Sequence, residues 1–524
     1  MALMTNASEV AIEENLKQFL LVLSVSLSVA TLPRIFIWFR QIPYTLLLVI
    51  VGLGLASVDV RLVDLSPGLI LFIFLPPLLF EAAWNMKWSE LERDLIPIGF
   101  YAVGGVIISI AVVAFGLSQL ASVPLITALL VGASCSATDS ASVIGLFREL
   151  GAGKRLTTLM EGESLFNDGA SVVAFSLLLG LATGTSEFQV STTLAHFFAV
   201  TGIGIGVGGL IGCGISLFTQ RLNLPWVEQS LTLVSAYGTY LVVEELGGSG
   251  VIGVVTVGLI LGNFGSRIGM EPRTRFVVTE FWEFLTFFVN SIVFLLIGDQ
   301  IHFTRLIDYF GTTAVAFAAV VLARAIAIYG LGGLSNWLAK TQISSQDQTV
   351  LWWGGLRGSV SIALALSVPA ALPGREEIIA NVFGVVLFTL LIQGLTTKVL
   401  MEKLGLLEDQ SLHHKYFEAI ARRDALNQVL NHLTEIDSHA EVSLELHHYQ
   451  VALIQEQLNR FQQDINQLRE QYPQLYALTM KQRQERLLAI EVDIYAKYVR
   501  AGLLQNKLSP LLEEVFDAVD KKIV

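Results

Sequence analysis

The chain has 524 residues, 53% of them hydrophobic and 15% charged, with a mean hydropathy of +0.63 and a formal net charge of -12. Soluble globular chains carry about 25% charged residues, so this composition excludes a soluble domain and reads as a polytopic membrane protein. No strongly basic patch speaks for nucleic acid. The only two cysteines, Cys135 and Cys213, lie in apolar segments as small buried residues and exclude a disulfide framework.

The first stretch, Met1 to Gln18, is polar with several acids. It lacks the basic region of a cleaved signal, so the first hydrophobic segment is expected to stay in the mature protein. A membrane span needs about 20 apolar residues. Thirteen candidates follow in order: 16–39, 43–58, 66–84, 95–118, 123–147, 156–184, 192–219, 226–246, 249–264, 278–300, 311–338, 347–371 and 377–402. An odd number of spans puts the termini on opposite sides. Loops from odd to even spans hold twelve basic residues: Arg34, Arg40, Lys87, Arg93, Arg148, Lys154, Arg155, Arg221, Arg267, Arg273, Arg275 and Lys340. The other side holds four: Lys17, Arg61, Arg305 and Arg375. The positive-inside rule then predicts the N-terminus outside and the tail, from about Glu402, in the cytoplasm.

Two spans have interrupted interiors. Span 5 carries Ala133-Ser-Cys-Ser-Ala-Thr-Asp-Ser-Ala-Ser, and span 12 carries Gly354-Gly-Leu-Arg357-Gly-Ser-Val-Ser. Interrupted segments at corresponding places in two halves point to an inverted-repeat transporter, here with spans 4–6 matching 11–13. Unwound backbone is tolerated at membrane depth where it lines a wet cavity. Close packing through Gly and Ser is the plainer alternative, but a pair of interruptions, each with a charge at its centre, favours the transporter. Span 7 is glycine-rich and contains a G-x-G-x-x-G match at 204–209. Without a strand–turn–helix context the nucleotide reading fails, and close helix packing remains.

The tail changes character after Leu404. Val451, Ile454, Leu458, Phe461, Ile465, Leu468 and Tyr472 step by three and four, an apolar seam that Pro473 ends. A second helix is expected over 475–504. Six of the eight histidines lie here, His413, His414, His432, His439, His447 and His448. A pH-sensing cluster is one reading; exposed histidines without partners is the plainer one.

The chemistry concentrates in Glu161-Gly-Glu163-Ser164-Leu-Phe-Asn167-Asp168 and in Thr138-Asp139, both inside apolar sequence. An ionisable group at membrane depth costs about 2.5–3.5 kcal/mol on insertion scales unless paired or wetted. Glu161 is expected at a helix end among headgroups. Glu163 and Asn167 are four apart and share a helix face. Two arginines face these acids from other spans, Arg324 and Arg357. Buried arginine stays charged and needs a carboxylate. Asp139, Glu163 and Asp168 against two arginines leave one carboxylate uncompensated, which a monovalent cation or a proton can fill. Glu163 reads as an arginine's permanent partner, leaving Asp168 to cycle.

Phe74-Leu-Pro-Pro-Leu-Leu-Phe-Glu81, Thr138-Asp139, Glu163-Ser-Leu-Phe-Asn167-Asp168, Leu322-Ala-Arg324 and Gly354-Gly-Leu-Arg357-Gly, in this order, resemble the Na+/H+ exchangers of the cation:proton antiporter-1 family, its bacterial branch especially. The likeness covers about residues 15–405. It implies an all-α membrane protein of thirteen helices, a homodimer with a six-helix ion-translocating part and a separate dimerisation part, crossed unwound helices 5 and 12, and elevator-like alternation. It implies Na+ ligation by Asp168 and Asp139, oxygens of Thr138 and Ser164 helping, and Glu163 held by an arginine. Arg324 is the preferred partner, with Arg357 stabilising the broken helix. The family often follows Thr-Asp with proline; here Ser140 stands instead, so the break must rest on Ser and Asp side chains and solvent.

The expected protein is therefore a secondary antiporter and not an enzyme, exchanging Na+ (Li+ and K+ being alternatives) for H+ in the cell membrane for pH and sodium homeostasis. It needs no cofactor and binds no nucleic acid. Residues 1–404 form the antiporter domain and 405–524 a cytosolic helical domain. Since Asn167 is an amide that cannot titrate, where electrogenic relatives carry a second aspartate, exchange is expected to be electroneutral, one for one. A K+/H+ antiporter of the same fold is the alternative. A cation channel is weaker, because channels build rings of charge or carbonyls by symmetry. An intramembrane aspartyl protease lacks its Gly-x-Gly-Asp setting, and a sensor lacks any output motif in the tail.

Overall fold

The computed structural model describes residues 2–36, 43–58, 66–184, 189–219, 224–266, 270, 272–301, 303–339, 341–406, 410–436 and 444–472, with isolated positions beyond. Every regular element among them is a helix. The chain divides into two compact units, Met1–Leu406 and Leu407–Val524.

The first unit opens with α1 (Ala2–Ile35), α2 (Tyr44–Ser57), α3 (Leu69–Asn85) and α4 (Leu95–Leu120). Then come two short helices, α5 (Leu125–Ser134) and α6 (Ala141–Leu150), and the long α7 (Lys154–Ala182). Next are α8 (Val190–Thr219), α9 (Pro225–Glu245), α10 (Gly250–Gly265) and α11 (Pro272–Asp299). It ends with α12 (Phe310–Ala339), the short pair α13 (Ser345–Trp353) and α14 (Ser359–Leu366), and α15 (Arg375–Leu404). Six of these helices are long and apolar enough to cross a membrane: 95–120, 154–182, 191–219, 274–299, 310–339 and 375–404. The protein is an integral multi-pass membrane protein.

Two bundles emerge from the packing. In one, α4 and α12 lie side by side, and α5 is clasped by α4, α7, α14 and α15. In the other, α2 packs on α11, while α10 packs on α3, α8 and α9. Small residues set the closest crossings. A Cβ on Gly52 would run into the backbone of Leu295, and one on Gly298 into that of Val49, so α2 and α11 touch backbone to backbone. Side chains supply the polar pins: the Trp282 indole donates to Thr232 Oγ1 at 3.0 Å and the Trp84 indole to Thr279 Oγ1 at 3.0 Å. At one end of the first bundle Arg155 donates to both oxygens of buried Asp94 and to the Thr341 carbonyl (2.6 Å), fixing the start of α7 to the chain before α13.

Helix gives way at two places in the first bundle, between Ser134 and Ala141 and between Trp353 and Ser359. Several long helices also widen for one turn into π geometry, at Phe100–Gly104, Ile326–Leu331 and Thr389–Gln393. Such bulges recur at functional sites because they free backbone and open space.

In the second unit, α16 (Gln410–Ile436) and α17 (Leu444–Gln471) pack as a pair. Its small core is Tyr416, Ala419 and Ile465, flanked by Ile420, Phe461 and Leu468. The seam thus faces a neighbouring helix of the same chain. Arg469 donates to Tyr416 Oη at 2.8 Å. The helix expected over 475–504 lies largely outside the described residues, as do the side chains of the six tail histidines.

Candidate ion-binding site

The interruption after α5 is a run of Ser, Thr and Asp, whose side chains compete with helical backbone bonding. Its polar groups are satisfied from neighbouring segments. The Asp139 N–H donates to the Leu356 carbonyl at 2.8 Å, so the two unwound stretches cross and bond to each other. Arg357 Nη1 donates to the carbonyls of Ser136 (2.7 Å) and Ala137 (3.1 Å), a cation at the negative end of α5. The Arg357 N–H donates to Thr389 Oγ1 at 3.2 Å. Ser164 Oγ donates to the Thr138 carbonyl at 2.6 Å and accepts the Ser140 N–H at 3.2 Å. Asp139 Oδ1 accepts the Ala141 N–H at 3.0 Å, opening α6. Ser140, where proline was expected, is thus accommodated by Ser164 on α7 and by Asp139. Glycine is required where the crossing is tightest: a Cβ on Gly358 would overlap the Asp139 carboxylate, and one on Gly355 the Arg324 guanidinium.

On α7 the four-residue spacing does what it predicts. Asn167 Nδ2 donates to Glu163 Oε1 at 2.8 Å and to Thr138 Oγ1 at 2.7 Å, and its Oδ1 accepts the Thr138 N–H at 3.2 Å. Glu163 is 1% exposed and meets Arg324 in a bidentate pair, 2.8 Å to Oε1 and 2.7 Å to Oε2. Arg324 Nε and Nη2 also donate to the Leu351 carbonyl at 3.1 and 2.9 Å, closing the end of α13. Glu163 and Asn167 are therefore fully engaged. Asp168 is one step round the helix and buried, and its Oδ1 has no hydrogen-bond partner. An unpaired carboxylate oxygen away from solvent is costly, and such exceptions mark functional sites.

Asp168, Asp139, Thr138 and Ser164 line one cleft of about 290 Å³, together with Glu81 and Asn85 of α3, Glu161 of α7, and Glu283 and Asn290 of α11. Glu161 is half-buried on this wall rather than at a helix end. No Lys or Arg lines the cleft, so five carboxylates set its potential. Glu163, Asn167, Arg324 and Arg357 lie behind it, around a smaller chamber. The eight residues expected at the site thus come together, but in two layers: Asn167 holds the break and does not face the cleft. Glu283 and Asn290 were not anticipated. A lone acid within the apolar stretch 278–300 was the available signal.

Two carboxylates and hard oxygen donors beside an acidic passage suit a small cation or a proton, and each excludes the other. The family model described as "Sodium/hydrogen exchanger, transmembrane" matches residues 23–403. This chain belongs to that family. It is 61% identical over 508 residues to the Na(+)/H(+) antiporter ApNhaP of Aphanothece halophytica, covering 97% of this chain and 98% of the relative. It is 54% identical to the low-affinity Na(+)/H(+) antiporter NhaS1 of Synechocystis, covering 96% of each. The sodium proton antiporter MjNhaP1 of Methanocaldococcus jannaschii shares the fold, with a TM-score of 0.65 at 22% identity over 75% of this chain and 99% of that one.

Proposed function

We propose that this protein is an electroneutral Na+/H+ antiporter in which Asp168, with Asp139 beside it, takes either Na+ or a proton. The observation that carries this is the contrast along one helix. Glu163 is neutralised by Arg324 and Asn167 is spent on Thr138, while buried Asp168 alone keeps a free oxygen on the cleft. Oxygens of Thr138 and Ser164 complete the ligand set, and no cofactor takes part. Asn167 carries no proton to give up, so the loaded carrier has the same charge with Na+ as with H+. Thirteen spans arranged as inverted repeats support alternating access, with the α4–α7 and α12–α15 bundle moving against the other, and the protein acts as a homodimer. The lysine and arginine bias of the loops supports an outside N-terminus and a cleft open toward the cytoplasm, since Glu81, Asn85 and Glu161 neighbour the basic loops. The role is sodium and pH homeostasis at the cell membrane. Residues 405–524 form a separate cytosolic helical domain. Purified protein in proteoliposomes tests the reading: Na+ gradients should drive proton flux, Li+ and K+ are compared in the same vesicles, and Asp168→Asn should fold yet exchange nothing. Full exchange by that variant would sink the assignment.

A further inference from the structure

Behind the Glu163–Arg324 pair lies a small internal chamber lined by Tyr101, Gly105, Ser109, Ser136, Glu163, Asn167, Arg324, Ala327, Ile328 and Arg357. Three polar atoms on its wall have no partner: Tyr101 Oη, Ser109 Oγ and Arg357 Nε. All three side chains are more than nine-tenths buried, at 2%, 4% and 2% exposure. They come from two elements, α4 and the stretch between α13 and α14. Two of the widened turns frame the space, Phe100–Gly104 and Ile326–Leu331. Its free volume is about 10 Å³, enough for one water and no more.

We propose that this chamber is a binding site for a single ordered water that bonds Arg357 Nε and the hydroxyls of Tyr101 and Ser109. Water fits because the hydroxyls can donate or accept while Nε can only donate, so the occupant must accept at least once and can also donate. A cation is disfavoured by Arg357 itself. Apolar filling would strand the same three groups. The water also has a consequence for the cleft. Arg357 Nη1 holds the carbonyls of Ser136 and Ala137, immediately before Thr138 and Asp139. By fixing Nε, the water sets the plane of the guanidinium, and through it the position of the unwound chain. Tyr101 and Ser109 are then positioning residues for an ion site they do not touch.

Gly105 offers a clean test. A methyl group there projects into open space, its only neighbour within 4 Å being Ala327 Cβ at 3.9 Å. If the chamber is a dry void, Gly105→Ala fills it and improves helix propensity, so the melting temperature rises and the KM for Na+ is unchanged. If it holds a water, Gly105→Ala expels that water, lowers the melting temperature, and raises the KM for Na+ about fivefold, the weight of one hydrogen bond. The first result overturns the proposal. A second test uses the cycle of Tyr101→Phe and Ser109→Ala. Partners of one water give a double variant less damaged in melting temperature than the sum of the singles, and strict additivity overturns the site. Melting and transport should be indifferent to replacing chloride by gluconate; dependence on chloride would mean an anion there and defeat the water assignment. The KM arm rests on Asp168 and Asp139 being the ion ligands, whereas the melting arms stand without it, so the two failures can be told apart.

Discussion

Asn167→Asp is the substitution that most directly probes the charge balance of the site. It restores the second acid that would allow a second proton to travel. The geometry argues that it will not. Asn167 Nδ2 lies 2.8 Å from Glu163 Oε1. Two carboxylates at that spacing repel by about 6 kcal/mol at an effective dielectric of ~20, about four powers of ten in protonation. Arg324 cannot relieve this, since its nitrogens are already committed to Glu163 and the Leu351 carbonyl. The new acid therefore keeps its proton throughout the cycle and donates it to Glu163 as the amide did. One donor is lost, that to Thr138 Oγ1, for a stability decrease of about 1 kcal/mol. In proteoliposomes with a K+/valinomycin potential, Na+ flux by the variant should remain indifferent to voltage. A flux that scales with the imposed potential would refute the reasoning, because it would mean the second acid releases its proton.

Other substitutions test other parts of the arrangement. Glu163→Gln leaves Arg324 buried without its counter-charge and should lower stability by about 3–5 kcal/mol, with partial recovery in Glu163→Gln/Arg324→Met. An unchanged melting temperature would argue against the pair as a structural element. Since protons and Na+ compete for Asp168, lowering the pH fills the site with protons and raises the apparent KM for Na+, by up to about tenfold per pH unit where protons dominate; a KM flat across pH 6–8 (about two units of titration) would remove the competition. A chain ending at Leu406 should retain exchange, because the boundary between the compact units falls there; a folded but inactive product would make the tail part of the pathway.

The elements of this site were legible in the sequence for a simple reason: charge in apolar surroundings is conspicuous. Asp139, Glu163, Asp168, Arg324 and Arg357 all announce themselves that way, and the runs of Ser and Gly mark where helix gives way. Their mutual arrangement was less legible. Nothing in the one-dimensional pattern tells which arginine meets Glu163, since both stand in similar small, apolar contexts. The division into layers was hidden too. Asn167 and Asp168 are neighbours in sequence, yet a turn of about 100° per residue aims one at Thr138 and the other at the cleft. Glu283 and Asn290 reach the same cleft from a helix whose proximity depends on how two bundles meet. Tyr101 and Ser109 carried no signal, as a hydroxyl in an apolar helix ordinarily bonds its own backbone.

The crossed breaks also bear on how the protein is made. Arg324 is 161 residues downstream of Glu163, and Arg357 is 221 downstream of the Ser136 carbonyl it holds. Chains emerge from the ribosome N-terminus first, at about 5–20 residues per second. For some tens of seconds the nascent protein therefore holds α5 to α7 without either guanidinium, an acid and a set of orphaned carbonyls awaiting their partners. During that interval the half-made bundle must stay wet or lean on the insertion machinery. Chains truncated before α12 should be recognised and degraded for this reason, so completing the ion site doubles as a quality-control checkpoint in biogenesis.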